Sequence, residues 1–226
     1  MQTDQDHIGY IKQLLETKSF AKQVTYDHLL NSFSILRDTA KSIAAELSTK
    51  SEREDVTIEF TDMGEHEFHL KLAGDLLIYV LHTNIVTFEP EHPVMQDSYI
   101  QEKEINRYFG QIMIYNFMSD SYKFNRVNDP GYLLARVMIN HENRYFIEGE
   151  GRIESVANKI SSQPVGVNDL DAIVKITLAM AIENDLMAPP YPKVRFITLI
   201  QKLQHTPDLG GGQKIGFKMN GEATQK

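Results

Sequence analysis

Three groups of side chains in this sequence have the types that binding or proton-transfer chemistry needs. The first is His66-Glu67-Phe68-His69, two imidazoles around a carboxylate. On a helix, positions three apart share a face and could hold a divalent ion. On a strand they point to opposite faces. Phe68, Leu70 and Leu72 alternate with Glu67, His69 and Lys71, which is strand patterning. No metal site is expected, and the histidines read as surface residues.

The second group is the polar face of that strand and its neighbour. Thr57, Glu59 and Thr61 would lie beside Glu67, His69 and Lys71. Glu59, His69 and Lys71 are its candidate ligand-binding residues. The functional version is a polar binding surface or a carboxylate pair for acid–base work; the plainer version is a solvent-facing sheet with cross-strand charge pairs. The third group is Glu148-Gly149-Glu150-Gly151-Arg152. It sets Glu148, Glu150 and Arg152 at a strand exit beside glycines, where either a site or a bulge fits.

No local catalytic signature accompanies these groups. There is no G-x-S-x-G, no H-E-x-x-H and no G-x-G-x-x-G, and Gly210-Gly211-Gly212-Gln213-Lys214 lacks phosphate-loop spacing. Catalytic residues remain unassigned, and the missing motifs weigh against an enzyme without removing that reading. The absence of cysteine removes thiolate nucleophiles and Cys-based zinc sites. No cofactor is expected. The net charge of −8 and sequence pI of about 5.5 disfavour a nucleic-acid partner, because lysines and arginines are scattered singly among acids. No apolar run reaches membrane-span length, and MQTDQDHIGY has neither a basic nor an apolar leader region. A cytoplasmic protein without a membrane partner is the expectation.

The elements that must position these groups follow from periodicity. Residues 4–17 carry a stripe of Ile8, Ile11, Leu14 and Leu15, then break near Lys18-Ser19. A second helix, from about Tyr26 to Ser48 with Thr25 as N-cap, presents Leu29, Phe33, Leu36, Ala40 and Ile43. Strands are expected at 56–61, 67–72, 76–81 and 85–88, with hairpin-length joints. In the centre, Phe109–Phe117 is apolar on both faces. Tyr122–Arg126 alternates as a half-buried strand, and Asn128-Asp129-Pro130-Gly131 turns the chain. Tyr132–Ile139 and Arg144–Glu148 then complete a meander.

Residues 89–107 interrupt that meander. Pro90 and Pro93 exclude a regular central strand. Ser98 and Gln101 have capping-box spacing for a short helix from Tyr99 to about Arg107, with an extended edge segment as the alternative. A connection this long is the first place to look for a site or a partner surface. After the sheet, a short helix near Ile153–Ile160 precedes a strong one, capped by Asn168 and running to about Met187. Lys193–His205 would be the last helix.

The expected architecture is α+β: two N-terminal helices, an antiparallel meander of about seven to eight strands, and two to three C-terminal helices on one sheet face. One domain would span 1–205, with a flexible tail at 206–226 whose Ile215, Phe217 and Met219 could add a strand to a sheet edge. The alternative splits the chain near 90–107 into two lobes. An acidic α+β protein of this order is similar in general shape to secretion-chaperone-like domains, a likeness of fold and charge alone. The leading functional expectation is a non-catalytic binding or adaptor protein, acting on another protein or on itself as a homodimer. A small-ligand sensor with Tyr115, Tyr132 and Tyr145 around a pocket is one alternative. A hydrolase with carboxylate and histidine groups gathered from separate strands is the other.

Overall fold

A computed structural model describes residues 4–199, except 54, 189 and 197, together with Gln213 and Lys214. The chain opens as one helical rod. Helix α1 (Asp4–Leu14) runs through a π-turn (Leu15–Ser19) into α2 (Phe20–Lys50). The expected break at Lys18-Ser19 is this π-turn. The Phe20 N–H donates to Leu15 O, one residue further back than in an α-helix. The inserted residue shifts the phase of the apolar pattern, so one rod reads as two helices. Thr25 is accordingly no N-cap. It is buried inside α2, and its Oγ1 donates to Ala21 O at 2.8 Å.

Six strands follow: β1 (Ile58–Asp62), β2 (Glu67–Leu72), β3 (Asp75–Val86), β4 (Phe109–Met118), β5 (Tyr132–Asn140) and β6 (Tyr145–Gly149). They form one antiparallel meander in sequence order. Two expected strands are not separate elements. The 76–81 and 85–88 runs merge into the long β3, whose ladder is irregular between His82 and Val86; the polar His82-Thr83-Asn84 step marks that irregularity, not a turn. The Tyr122–Arg126 segment is not a strand either. Helix α4 (Ser119–Lys123) and a folded loop replace it. The Arg126 N–H donates to Ser121 O, and Ser121 Oγ donates to Asp129, so the loop bonds to itself and β4 pairs directly with β5.

Between β3 and β4 the chain makes a strap. Pro93–Gln96 is a 3-10 turn, α3 spans Ser98–Glu102, and Glu104–Arg107 is a second 3-10 turn. Asp97, not Ser98, caps α3: its carboxylate accepts from the Tyr99 N–H at 2.9 Å. After β6 come a 3-10 turn (Gly151–Ile153), α5 (Glu154–Ala157) and α6 (Val167–Glu183). Helix α6 starts just before the expected Asn168 cap, because Asp169 reaches back to accept from the Gly166 N–H at 2.8 Å. Strand β7 (Leu186–Met187) and helix α7 (Tyr191–Val194) follow. β7 pairs with β8 (Gln213–Lys214), apart from the main sheet. Most of the expected helix at Lys193–His205, and the alternating Ile215–Met219 stretch, lie outside the described residues.

Helices α2 and α6 cover one sheet face. Leu29, Phe33, Leu36 and Ala40 of α2 pack with Ile173, Val174 and Ala181 of α6 on Phe68, Leu70, Leu77, Tyr79, Ile112, Ile114 and Val137. Phe68 stacks on Tyr79 at 4.5 Å between ring centroids. Gly110 is where α2 comes closest to the sheet. A Cβ there would lie 2.8 Å from Leu29 Cδ2, so only glycine fits without displacement.

Candidate functional site

Among the described residues, the opposite face of the sheet is covered at its two ends and open between them. Alternation puts Ile78 and Val80 of β3, Met113, Tyr115 and Phe117 of β4, and Arg136 of β5 on this face. All are only half-buried, and Leu133 is 43% exposed.

The strap covers one end. Val94, Met95 and Ile100 pack on Phe109, Met138 and Phe146. Polar ties hold it down. His92 Nε2 lies 2.8 Å from Glu148 Oε1, while Arg136 donates to Glu148 Oε2, with Nε at 2.6 Å. Arg136 and Glu148 are direct cross-strand partners. The His92 ring also stacks on Phe88 at 4.2 Å, and the Arg136 guanidinium lies over the same Phe88 ring. Further along, the fully buried Asn140 donates to Tyr99 Oη at 2.8 Å, while its Oδ1 accepts from the Glu142 and Arg144 N–H groups. Burial pushes the Tyr99 phenol up to about 12, and the Asn140 contact pulls the other way.

The loop between β4 and β5 covers the other end. Tyr122 packs edge-on against His69 at 5.3 Å, and a groove of about 450 Å³ opens between Ile78, Phe117, Tyr122, Arg126 and Val127. Val127 is 80% exposed at its lip. A second cleft, of about 480 Å³, lies beside the strap and is lined by His92, Phe146, Glu148, Asn158 and Lys159, among others.

Of the sequence-predicted site residues, Glu59 and Lys71 face each other across β1 and β2, with Lys71 Nζ 3.4 Å from Glu59 Oε1. His69 is not on the surface. It is 3% exposed, under Tyr122, and its Nε2 lies 2.7 Å from Glu67 Oε1. His66 instead meets Tyr26 Oη of α2 at 3.2 Å. The two imidazoles therefore diverge, and no group of three ligating side chains that could hold a metal occurs among the described residues.

Glu148 lies at the strap, whereas Arg152 turns away to pair with Glu183 of α6 at 2.9 Å. Glu150 sits in the exposed turn between them. The third group is thus split between two places, and the first two stand apart from it on the far strands. Tyr115 and Tyr145 lie on opposite faces, Tyr145 in the helix-side core, so they do not line one pocket.

Sequence reasoning missed Arg136 and His92 as partners of Glu148. The alternation of β5 puts Arg136 on the strand's second face, a usable signal. Nothing local signals His92, which arrives from 56 residues away.

No helix among the described residues is long and apolar enough to cross a membrane. Compared with protein-family models, with curated proteins and with solved structures, the chain matches none.

Proposed function

We propose that the protein is a non-catalytic binding protein that receives an apolar segment of another protein on the open sheet face. The observation that supports this is the floor of half-buried Ile78, Val80, Met113 and Tyr115 with exposed Leu133, which among the described residues lies between the strap and the β4–β5 loop. A contiguous exposed apolar patch rimmed by polar groups marks an interaction site more often than bare surface. Rim charges are paired within the chain, Arg136 with Glu148, Lys71 with Glu59, and Arg126 with Asp129 at 3.8 Å. Affinity would therefore come from the apolar floor. The stretch from Gln111 to Phe117 spans about 20 Å at ~3.4 Å per residue. An α-helix of about 10–12 Å diameter fits across it. With a net charge of −8, basic flanks on that helix would speed its approach.

The test is selection from a displayed library of helical peptides against the purified chain. Binders should share an apolar stripe with basic flanks and lose at least tenfold in affinity to Leu133→Asp. A selection that yields no binders, or binders indifferent to Leu133→Asp and Tyr115→Asp, would remove the reading. The cleft beside His92 and Lys159 supports a second reading, a small-ligand sensor, because its volume falls in the range of ligand pockets. For a hydrolase the geometry offers less. Both oxygens of Glu148 are engaged, by His92 and by Arg136.

A further inference from the structure

The first helix carries an apolar stripe that stays exposed among the described residues. Ile8, Ile11, Leu15 and Phe20 are all exposed, Ile8 by 66% and Phe20 by 64%. In an unbroken α-helix the residue one turn above Leu15 would be Ser19. The π-turn puts Phe20 there, through the bond from its N–H to Leu15 O. The inserted residue thus extends the stripe, and π-turns are frequent at functional positions. The neighbouring side of the rod is anchored. Leu14, Thr17 and Lys18 border a groove with Ile105 and Tyr108, and the ammonium groups of Lys18 and Lys22 lie 5.5 and 5.1 Å from the Tyr108 ring centroid. The stripe beside that groove faces outward.

We infer that this stripe pairs with the same stripe of a second copy, antiparallel, around a twofold axis at its midpoint. Ile8 then meets the second copy's Phe20, and Ile11 meets its Leu15. Each contact recurs with the roles exchanged, as an isologous interface requires. Charge sets the direction. Lys12 and Glu16, both exposed beside the stripe, lie on either side of its midpoint. Antiparallel copies set acid against base, and a parallel pair would set like against like.

The area is sufficient for a reversible dimer. The four stripe residues expose on the order of 450 Å² per copy, and with flanking polar side chains a symmetric pair reaches about 1,200 Å², the lower end for stable interfaces. This inference stands on α1 and the π-turn, and is independent of the sheet face.

Sedimentation velocity from 1 to 100 μM tests it. The chain should move from 25.9 kDa toward about 52 kDa, twice its mass. Ile11→Asp/Leu15→Asp alters only exposed positions, so its thermal midpoint should match the parent while its dimerisation weakens at least a hundredfold. Leu133→Asp should dimerise normally. Because the chain has no cysteine, Lys12→Cys near the midpoint should form a disulfide-linked dimer on oxidation, and Ile8→Cys should not. A monomer at 100 μM overturns the inference, and so does a dimer that survives Ile11→Asp/Leu15→Asp or dissolves with Leu133→Asp. Self-linking of Ile8→Cys in place of Lys12→Cys overturns the antiparallel arrangement. A monomer that floats with anionic vesicles would reassign the stripe to a lipid surface.

Discussion

The Tyr79 hydroxyl lies 2.9 Å from Thr177 Oγ1, between the middle of the sheet and the middle of α6, with neither residue reached by solvent. Thr177 in turn donates to Ile173 O at 2.8 Å, so Tyr79 is the donor between the two hydroxyls. Removing either hydroxyl has unequal consequences. Tyr79→Phe deletes a donor and leaves Thr177 bonded to its helix, at a cost of about 1 kcal/mol. Thr177→Val strands a buried phenol O–H and should cost about 1–3 kcal/mol. Urea unfolding of both single variants and the double variant would check the order. The double variant should be more stable than the sum of the singles implies.

Gly110 should resist any side chain. An alanine Cβ would sit 2.8 Å from Leu29 Cδ2 and 3.1 Å from Leu29 Cβ. Overpacking of this kind costs about 1–3 kcal/mol. Thermal unfolding of Gly110→Ala should show that loss, and adding Leu29→Ala should cost less than it does in the parent chain.

The strap depends on Glu148. Replacing it by Gln keeps the shape but removes the charge that His92 and Arg136 share. Hydrogen exchange at residues 93–107 should speed up at least several-fold, while amides of β2 and β3 stay as protected as before. Unchanged exchange in the strap would show that Val94, Met95 and Ile100 hold it without the polar tie.

Alkaline solution should destabilise the fold through its buried phenols. Tyr99 is pushed up to about 12, chiefly by burial. Tyr79 and Tyr145 are raised as well, by burial first, and Tyr145 further by Asp169 beside it. Unfolded tyrosines titrate near 10. The stability these neutral phenols contribute is therefore fully present below pH 10 and is lost as the pH rises through their folded values, about 12 for Tyr99. Denaturation midpoints measured from pH 8 to pH 12 should fall in that window, with phenolate absorbance appearing together with unfolding. At the acid end His141 is lowered by burial, against the pull of Glu142. Its contribution is present above about 6.5, the unfolded value, and is lost as the pH falls below it.

The sheet was legible where alternation was clean, and the order of elements with it. Phe68, Leu70 and Leu72 face the helices as their spacing requires. Legibility failed where two patterns share a residue count. The π-turn added one residue to the rod, so a phase shift looked like an end. Tyr122, Lys123, Phe124 and Asn125 alternate as a strand would, yet the two aromatics are more than half exposed. Ser121 and Asp129 bonded the loop to itself instead, a tertiary choice that local pattern does not encode. For the site, Glu148 was visible as a carboxylate at a strand exit, but its partners were not. Arg136 depends on strand register and His92 on the path of the strap. The exposed α1 stripe read as ordinary amphipathic helix, because periodicity reports that a face is apolar and not what covers it.

The sequential meander sets the order in which the chain can assemble as it is synthesised. Helix α2 leaves the ribosome before any strand, so each hairpin can close onto an existing apolar surface, β1 with β2 first and β5 with β6 last. Nearest-neighbour pairing keeps each loop closure short and fast. Helix α6 arrives only after the sheet is complete, and until it does the Tyr79 hydroxyl has no Thr177 to bond. The nascent chain therefore holds a half-covered sheet, open to chaperones or to aggregation, for the time it takes to add the residues between Gly149 and Glu183.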